Sequence, residues 1–384
     1  MKKRTILFSG LILIAALSVG ISLFAYIKYQ HEHGPIVIGA TTDMSPEDDY
    51  GRSIRSAIEF RVQQVNDAGG VNGRSLELIW GDTECEYDGG LVQGNYLVNK
   101  KKVHIIIGGV CEDSAKAIAE FTVPKKVILI SSGASSPRLA AENDYFYRTY
   151  PSGIAQGKLL VSYLNNKKVY KVGELISPNE YTEGISGILQ ENYEGIYNRE
   201  IVEYETTDFI TQLESLREHN PDILFMNADF IEEFATILEQ MTSIDWCPPI
   251  LGDEMFVIDV GENYLPELQA YKECMGAGEI AGVAFAIDEE SPKFIELEKE
   301  FTAWAGIPFT YKTYAATAID AVDILVEALG YVKNEHDHDA LKEALDVIQH
   351  IGYSGAITFT KTGDVRSDYF LYQFNGAEFV KIEK

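Results

Sequence analysis

Two successive series of alternating strand and helix patterns constrain this chain more than anything else in it. The first opens with PIVIGA (35–40), a short apolar strand, and the polar loop TTDMSPEDDYGR (41–52). A helix follows, with Ile54, Ile58, Val62 and Val65 on one face at helical spacing. Gly69-Gly70 stops it, and the turn VNGR leads to the strand SLELIWGD (75–82). A helix over 89–101, the strand VHIIIG (103–108), a helix after Cys111 and the strand VILIS (127–131) complete this series. Strands separated by helix-length crossovers cannot pair as hairpins. A parallel sheet covered by helices is the natural solution.

Near Arg148 the pattern restarts. It runs through KVGELI (171–176), a helix after Tyr181, REIVEYE (199–205), a helix near 208–219, DILFMN (222–227) and a helix over 230–241. A short strand at Ile250-Leu251, a helical stretch near 263–275 and IAGVAFA (280–286) follow. Three helices (291–305, 312–333 and 338–349) and three short strands (356–360, 369–374 and 378–382) close the chain. Two α/β units of the same kind imply two lobes facing one cleft.

Open parallel sheets bind ligands beyond the carboxyl ends of their strands. The segments to watch are therefore Thr41–Tyr50, Cys111–Ser114, Ser131–Ser136, Ser177–Tyr181, Asn227–Phe230 and Gly252–Glu254. They are rich in Ser, Asp, Glu and aromatics, as a polar small-molecule site requires. ISSGASS (130–136) is the best binding signal, because small residues let a ligand approach the backbone and its N–H and hydroxyl groups suit a carboxylate. A plain Ser-rich turn ended by Pro137 is the ordinary alternative.

The N-terminus reads as export. MKKR precedes 23 residues without a charge, Thr5 to Ile27. The layout is that of a signal, but the apolar run is long enough to span a bilayer and no small-x-small cleavage site follows. The expectation is an uncleaved anchor, with the bulk of the chain outside the cytoplasmic membrane. Net charge is −27; beyond residue 35, 28 basic residues face 58 acidic ones. Such a surface repels nucleic acid and anionic lipid, so no nucleic-acid partner is expected. Export makes disulfides plausible for Cys85, Cys111, Cys247 and Cys274.

Enzyme signatures are missing. No G-x-G-x-x-G follows the first strand, no P-loop occurs, and the G-x-S-x-G spacing is absent. HEH (31–33) and HDH (336–338) read as solvated loop histidines rather than metal ligands. No catalytic set, metal or cofactor is expected.

YGRSIRSAIEFRVQQVNDAGGVNGRSLELIWGDTEC, IIIGGVCEDS, ILISSGASSPRL, PFTYKTYAATAIDAV and ITFTKTGD together resemble the landmarks of the branched-chain amino-acid (Leu/Ile/Val) type of periplasmic solute-binding protein, which serves ABC importers. The likeness covers about residues 35 to 375. It implies a type I periplasmic-binding fold: two Rossmann-like lobes joined by three hinge crossings near Ser152, Ala286 and Phe370. Lobe one would be 36–152 plus 287–370, and lobe two 153–286 plus 371–384, after an anchor and link over 1–35.

By resemblance, a small amino-acid-like solute would be held at its carboxylate by Cys111, Glu112, Gly133 and Ser135. Its ammonium would meet Glu254, with Tyr50, Tyr181 and Phe309 as aromatic neighbours. Phe230 stands where the family has a Tyr, and Glu112 where it has a Ser. The resemblance also pairs Cys85 with Cys111; Cys247 and Cys274 are candidates for a second bond.

An ionised Glu repels a carboxylate, so three readings of Glu112 stand open. It caps its own helix, leaving Ser114 or backbone N–H groups to meet the ligand; or it grips a cationic or amide group; or the alignment slips at this loop. With Asp229, Asp253 and Glu254 it implies a negative cleft suited to an amine, amide or basic amino acid. The implied partner is an ABC permease. The alternative is a membrane-anchored ligand-sensing domain acting with a separate signalling partner.

Overall fold

A computed structural model describes residues 34–139, 144–203, 206–228, 231–258 and 264–382. The expected apolar span, Thr5–Ile27, and the HEH histidines lie outside them. Among the described residues no helix is long and apolar enough to cross a membrane.

Strands β1 (Ile36–Thr42), β2 (Leu76–Asp82), β3 (Ile105–Ile107), β4 (Ile128–Ser131) and β5 (Phe146–Arg148) form one parallel sheet in the order β2-β1-β3-β4-β5. β3 and β4 are buried along their whole length, and their sequences are apolar but for Ser131 at the end of β4. The order reverses at β1, whose two neighbours are β2 and β3. That reversal opens a crevice beyond the strand ends.

The second sheet has the order β14-β13-β10-β9-β8-β6-β7. β6 (Lys171–Ile176), β7 (Ile196–Ile201), β8 (Ile223–Asn227), β9 (Ile250–Gly252) and β10 (Ile280–Phe285) run parallel. β13 (Tyr369–Phe374) and β14 (Phe379–Lys381) extend it antiparallel. β11 (His350–Ile351) and β12 (Ala356–Ile357) form a separate small hairpin.

Eleven described α-helices cover the sheets. α1 (Asp49–Asp67), α2 (Tyr87–Asn95), extended by a π-helical stretch to Lys101, and α3 (Glu112–Thr122) belong to the first sheet. α4 (Gly153–Asn166), α5 (Glu180–Asn192), α6 (Ile210–His219), α7 (Ile231–Ser243) and α8 (Leu265–Met275) belong to the second. α9 (Pro292–Ala305), α10 (Lys312–Tyr331) and α11 (His338–Asp346) return to the first. Ile54 and Ile58 of α1 share one core with Ile319 and Val322 of α10 and Leu341 of α11.

The chain therefore passes between the sheets three times: after β5, after β10 and just before β13. Buried Arg148, at the end of β5, ties the first passage to the third. It donates to Asp364 (2.6 Å), to the Ser136 carbonyl (2.8 Å) and to the Ser152 hydroxyl (2.7 Å). A buried guanidinium is tolerable only when paired and hydrogen-bonded in this way.

Two expectations shift. The strand expected at 199–205 lies instead at Ile196–Ile201, because β7 is a half-exposed edge strand with no unbroken apolar run to mark it. The HDH histidines are half-buried rather than solvated. His338 Nε2 lies 2.6 Å from His104 Nδ1, and the His336 ring meets the His104 ring edge-on, so folding brings in a partner from 234 residues away.

Candidate functional site

A cavity of about 840 Å³ lies where the strand-end loops of the two sheets meet. The first sheet contributes the loops after β1, β2, β3 and β4; the second contributes those after β6, β7 and β9; the start of α10 adds one wall.

Local chemistry sets each loop. The Asp48 carboxylate caps α1, accepting from the Tyr50 and Gly51 amides at 3.1 and 2.8 Å. This cap fixes Tyr50 at the cavity wall, where its hydroxyl donates to the Val110 carbonyl (3.4 Å). Gly133 packs beneath it. A Cβ there would lie 2.5 Å from the Val110 oxygen and 2.7 Å from the Tyr50 hydroxyl, so no side chain fits without a shift. Gly108 and Gly109 turn the chain after β3 at positive φ. The structure joins Cys111 to Cys85, stapling the loops after β3 and β2 together, and joins Cys247 to Cys274 in the second lobe.

Glu112 is the first residue of α3, after the N-cap residue Cys111, which makes no side-chain cap bond. The Glu112 Oε1 accepts from the Ser135 amide (2.9 Å) and the Ser135 hydroxyl (3.2 Å). The ISSGASS donors therefore do hold a carboxylate, and it is the chain's own. Ser114 does not face the cavity. It is fully buried, with its hydroxyl donating to the Cys111 carbonyl at 3.0 Å, as an i−3 side-chain bond at a helix start allows.

Glu254 follows β9 and is 2% exposed. Its Oε1 accepts from the Tyr150 hydroxyl (2.7 Å) and the Phe285 amide (2.9 Å), and its Oε2 from the Tyr369 hydroxyl (3.2 Å). These three donors come from the three passages between the sheets. Burial pushes its carboxyl up to about 7, against the lowering effect of the three hydrogen bonds. The carboxyls of Asp48 and Asp113 are also raised, chiefly by burial.

Of the residues marked in the sequence, Tyr50, Cys111, Glu112, Gly133, Ser135, Tyr181 and Glu254 all line this cavity. Phe230 and Asp229 lie outside the described residues. Phe309 does not reach the cavity: it packs against Phe294 and Phe301 in the first-lobe core. Asp253 is buried beside the site and accepts from the Phe256 amide at 3.1 Å. The Tyr181 hydroxyl turns to Gln156 (2.8 Å), so the ring is what Tyr181 presents.

Sequence reasoning missed two groups. Tyr311 and Tyr314, at the start of α10, close on Tyr50 edge-on at 5.5 and 5.0 Å between ring centres. Glu84 and Glu86 after β2, and Glu203 after β7, add charge at the rim. The strand-end rule covers these three carboxylates, but the loops after β2 and β7 carry no Ser or Gly signature to draw notice. With Asp43, Asp48, Glu112, Asp113 and Glu254, eight carboxylates line the cavity among the described residues, and no described lining residue is Lys, Arg or His. Lys116 and Arg138 of the first lobe pair with Glu180 of the second.

Asp320, Asp323 and His350 cluster in the first lobe and do not line this cavity. Both Asp320 oxygens accept from the 353–354 turn, and Asp323 pairs with Arg61, so these carboxylates hold the fold together.

Residues 35–378 match the family model described as "Periplasmic binding protein". The chain belongs to that family. Its members are solute-binding proteins rather than enzymes, and the membership implies a place outside the cytoplasm. The leucine-, isoleucine-, valine-, threonine- and alanine-binding protein of Pseudomonas aeruginosa is 24% identical over 343 residues, covering 86% of this chain and 87% of that one. Two solved structures share the fold. A leucine-binding protein from Thermotoga maritima superposes with a TM-score of 0.72 at 18% identity, covering 91% of this chain and 98% of that chain. A branched-chain amino-acid transporter substrate-binding protein from Streptococcus pneumoniae, in complex with isoleucine, gives 0.70 at 21% identity, covering 91% and 100%. This periplasmic binding protein is thus of the branched-chain amino-acid type, with the cavity at the place where its loops converge.

Proposed function

We propose that this chain captures a small amine-bearing solute, an amino acid or a related amine or amide, between its two lobes and delivers it to an ABC permease. Lobe one is 36–152 with 287–370, lobe two 153–286 with 371–384, and residues 5–27 anchor the protein at the outer face of the cytoplasmic membrane. The observation that carries the reading is the shared cavity: Ser135 of one sheet and Glu254 of the other line the same hollow, walled by tyrosines. Glu254 supplies a buried carboxylate to an ammonium, and Tyr50, Tyr181 and Tyr314 offer ring surface to it. Hinge closure about the three passages traps the solute, and reopening releases it. Isothermal calorimetry of the purified full chain against amino acids, amides and amines tests this. Saturable binding of one class, weakened about tenfold or more but still measurable in Glu254→Gln, is the expected result. No heat across the panel refutes it.

A further inference from the structure

The carboxylate seat of this cavity is already filled. Ser135 donates both its amide and its hydroxyl to one oxygen of Glu112, at 2.9 and 3.2 Å. These are the donors that the strand-end loop would otherwise turn toward an anion. The two residues sit at adjacent strand ends, because β3 and β4 pair in register from Ile105↔Ile128 to Ile107↔Ile130. The group that fills the seat is itself a carboxylate, so when ionised it adds negative charge there. An arriving carboxylate would meet an occupied site and a like charge at close range.

The rest of the cavity has the same sign. Among the described lining residues eight carboxylates stand against no Lys, Arg or His, and Lys116 and Arg138 are paired with Glu180. The charges come from both lobes, with Glu203 and Glu254 on one side and the other six on the opposite side. Tyr50, Tyr181, Tyr311 and Tyr314 add ring faces and edges between them. Distributed negative charge around aromatic walls is the arrangement that binds an extended organic cation.

We infer that Glu112 is a built-in occupant of the carboxylate seat, and that the solute is a cation without a carboxylate there, of the diamine or polyamine class. This rests on the binding function proposed above and narrows it. Glu254 meets one amino group, and the acidic rim of the first lobe meets the other. An α-amino acid is disfavoured because the Ser135 donors are taken and the Glu112 carboxylate stands where its own would sit.

Matched pairs that differ only by a carboxylate test this on the full chain: lysine against 1,5-diaminopentane, and leucine against 3-methylbutylamine. Calorimetry should show 1,5-diaminopentane binding about tenfold or more tightly than lysine, with 3-methylbutylamine preferred over leucine in the same sense. Glu112→Ser frees the Ser135 donors and should bring lysine and leucine up while weakening the diamine. Glu112→Gln keeps the seat filled without the charge. It should weaken the diamine and still refuse both amino acids, which separates occupancy from charge. Wild-type protein that binds lysine as tightly as 1,5-diaminopentane leaves the solute-binding function standing and overturns this inference. So does a Glu112→Ser protein with an unaltered circular dichroism spectrum and no gain for the amino acids. Silence toward all four ligands overturns this inference, and the wider panel of amino acids, amides and amines then decides the binding function. If the Ser variant fails to fold, the wild-type pairs and the Gln variant still decide.

Discussion

Affinity for a cationic solute should rise with pH, and Glu254 sets the size of the effect. Its carboxyl is pushed up to about 7 by burial. A cation pairs only with the ionised form, so binding must first remove the proton. Ionised Glu254 makes up about one-tenth of the protein at pH 6 and about nine-tenths at pH 8. Affinity should therefore rise roughly tenfold between those values, or about 1.4 kcal/mol, with about 0.9 proton released per solute at pH 6. Asp48 and Asp113 are raised as well and titrate in the same sense. Glu254→Gln is the matched control. The amide oxygen can accept from Tyr150 and Phe285, and the amide nitrogen can donate to Tyr369, whose hydroxyl proton has the Pro151 carbonyl at 3.3 Å as its acceptor. The same shift predicts stability. A carboxyl raised in the fold stabilises fully below its unfolded value near 4.5, and that contribution is lost as pH rises through about 7. Its size is about 3 kcal/mol, and the wild-type minus Gln difference in urea midpoint should shrink accordingly between pH 4 and pH 8. Calorimetry in two buffers of different ionisation heat reads the proton release. Affinity that stays flat from pH 6 to 8 with no proton released refutes the reasoning, as does an unchanged pH slope in the Gln variant.

The two disulfides should separate by function. Each closes a loop of similar length (sequence separations of 26 and 27), so replacing either pair by Ser should cost about 3 kcal/mol in urea unfolding. Only the Cys85/Cys111 pair should also weaken solute binding, because it alone staples two cavity loops. Asp364→Ala leaves the buried Arg148 guanidinium without its carboxylate and should destabilise by about 3–5 kcal/mol, read as a fall in thermal midpoint, with Asp364→Asn intermediate. Tyr150→Phe removes one of three donors to Glu254. It should raise that carboxyl further and move the midpoint of the pH–affinity curve upward; a midpoint that stays in place contradicts the role given to the bond.

The sequence displays most clearly what is buried on both faces. β3, β4 and β8 are apolar up to a final Ser131 or Asn227 because no face of theirs meets water. β5 escaped notice because its three residues end in Arg148, whose burial depends on Asp364, far along the chain. The candidate site was legible wherever a loop directly follows a strand, which is how Tyr50, Ser135 and Glu254 are found together. Tyr311 and Tyr314 follow no strand. They reach the cavity because α10 returns to the first sheet after the second crossing, and local pattern carries no trace of that. The role of Glu112 was not legible either. Its partner Ser135 is 23 residues away and is brought close only by the pairing of β3 with β4.

That pairing shows why a single side chain can change what such a cleft accepts. The donors of a strand-end anion seat are partly backbone N–H groups, and substitution cannot delete a backbone N–H except by proline, which would break the turn. A chain on this fold that must refuse anions therefore cannot simply remove the seat. Leaving it empty would also expose buried donors without partners. Covering the seat solves both problems, and the covering group has to be an acceptor of about the ligand's own shape. Glu112 meets that requirement from the first turn of α3, where the helix N-terminus favours its charge. Its second effect follows on the inference above: the carboxylate that satisfies the donors stands among seven others from the described lining residues, an arrangement that favours a cationic guest.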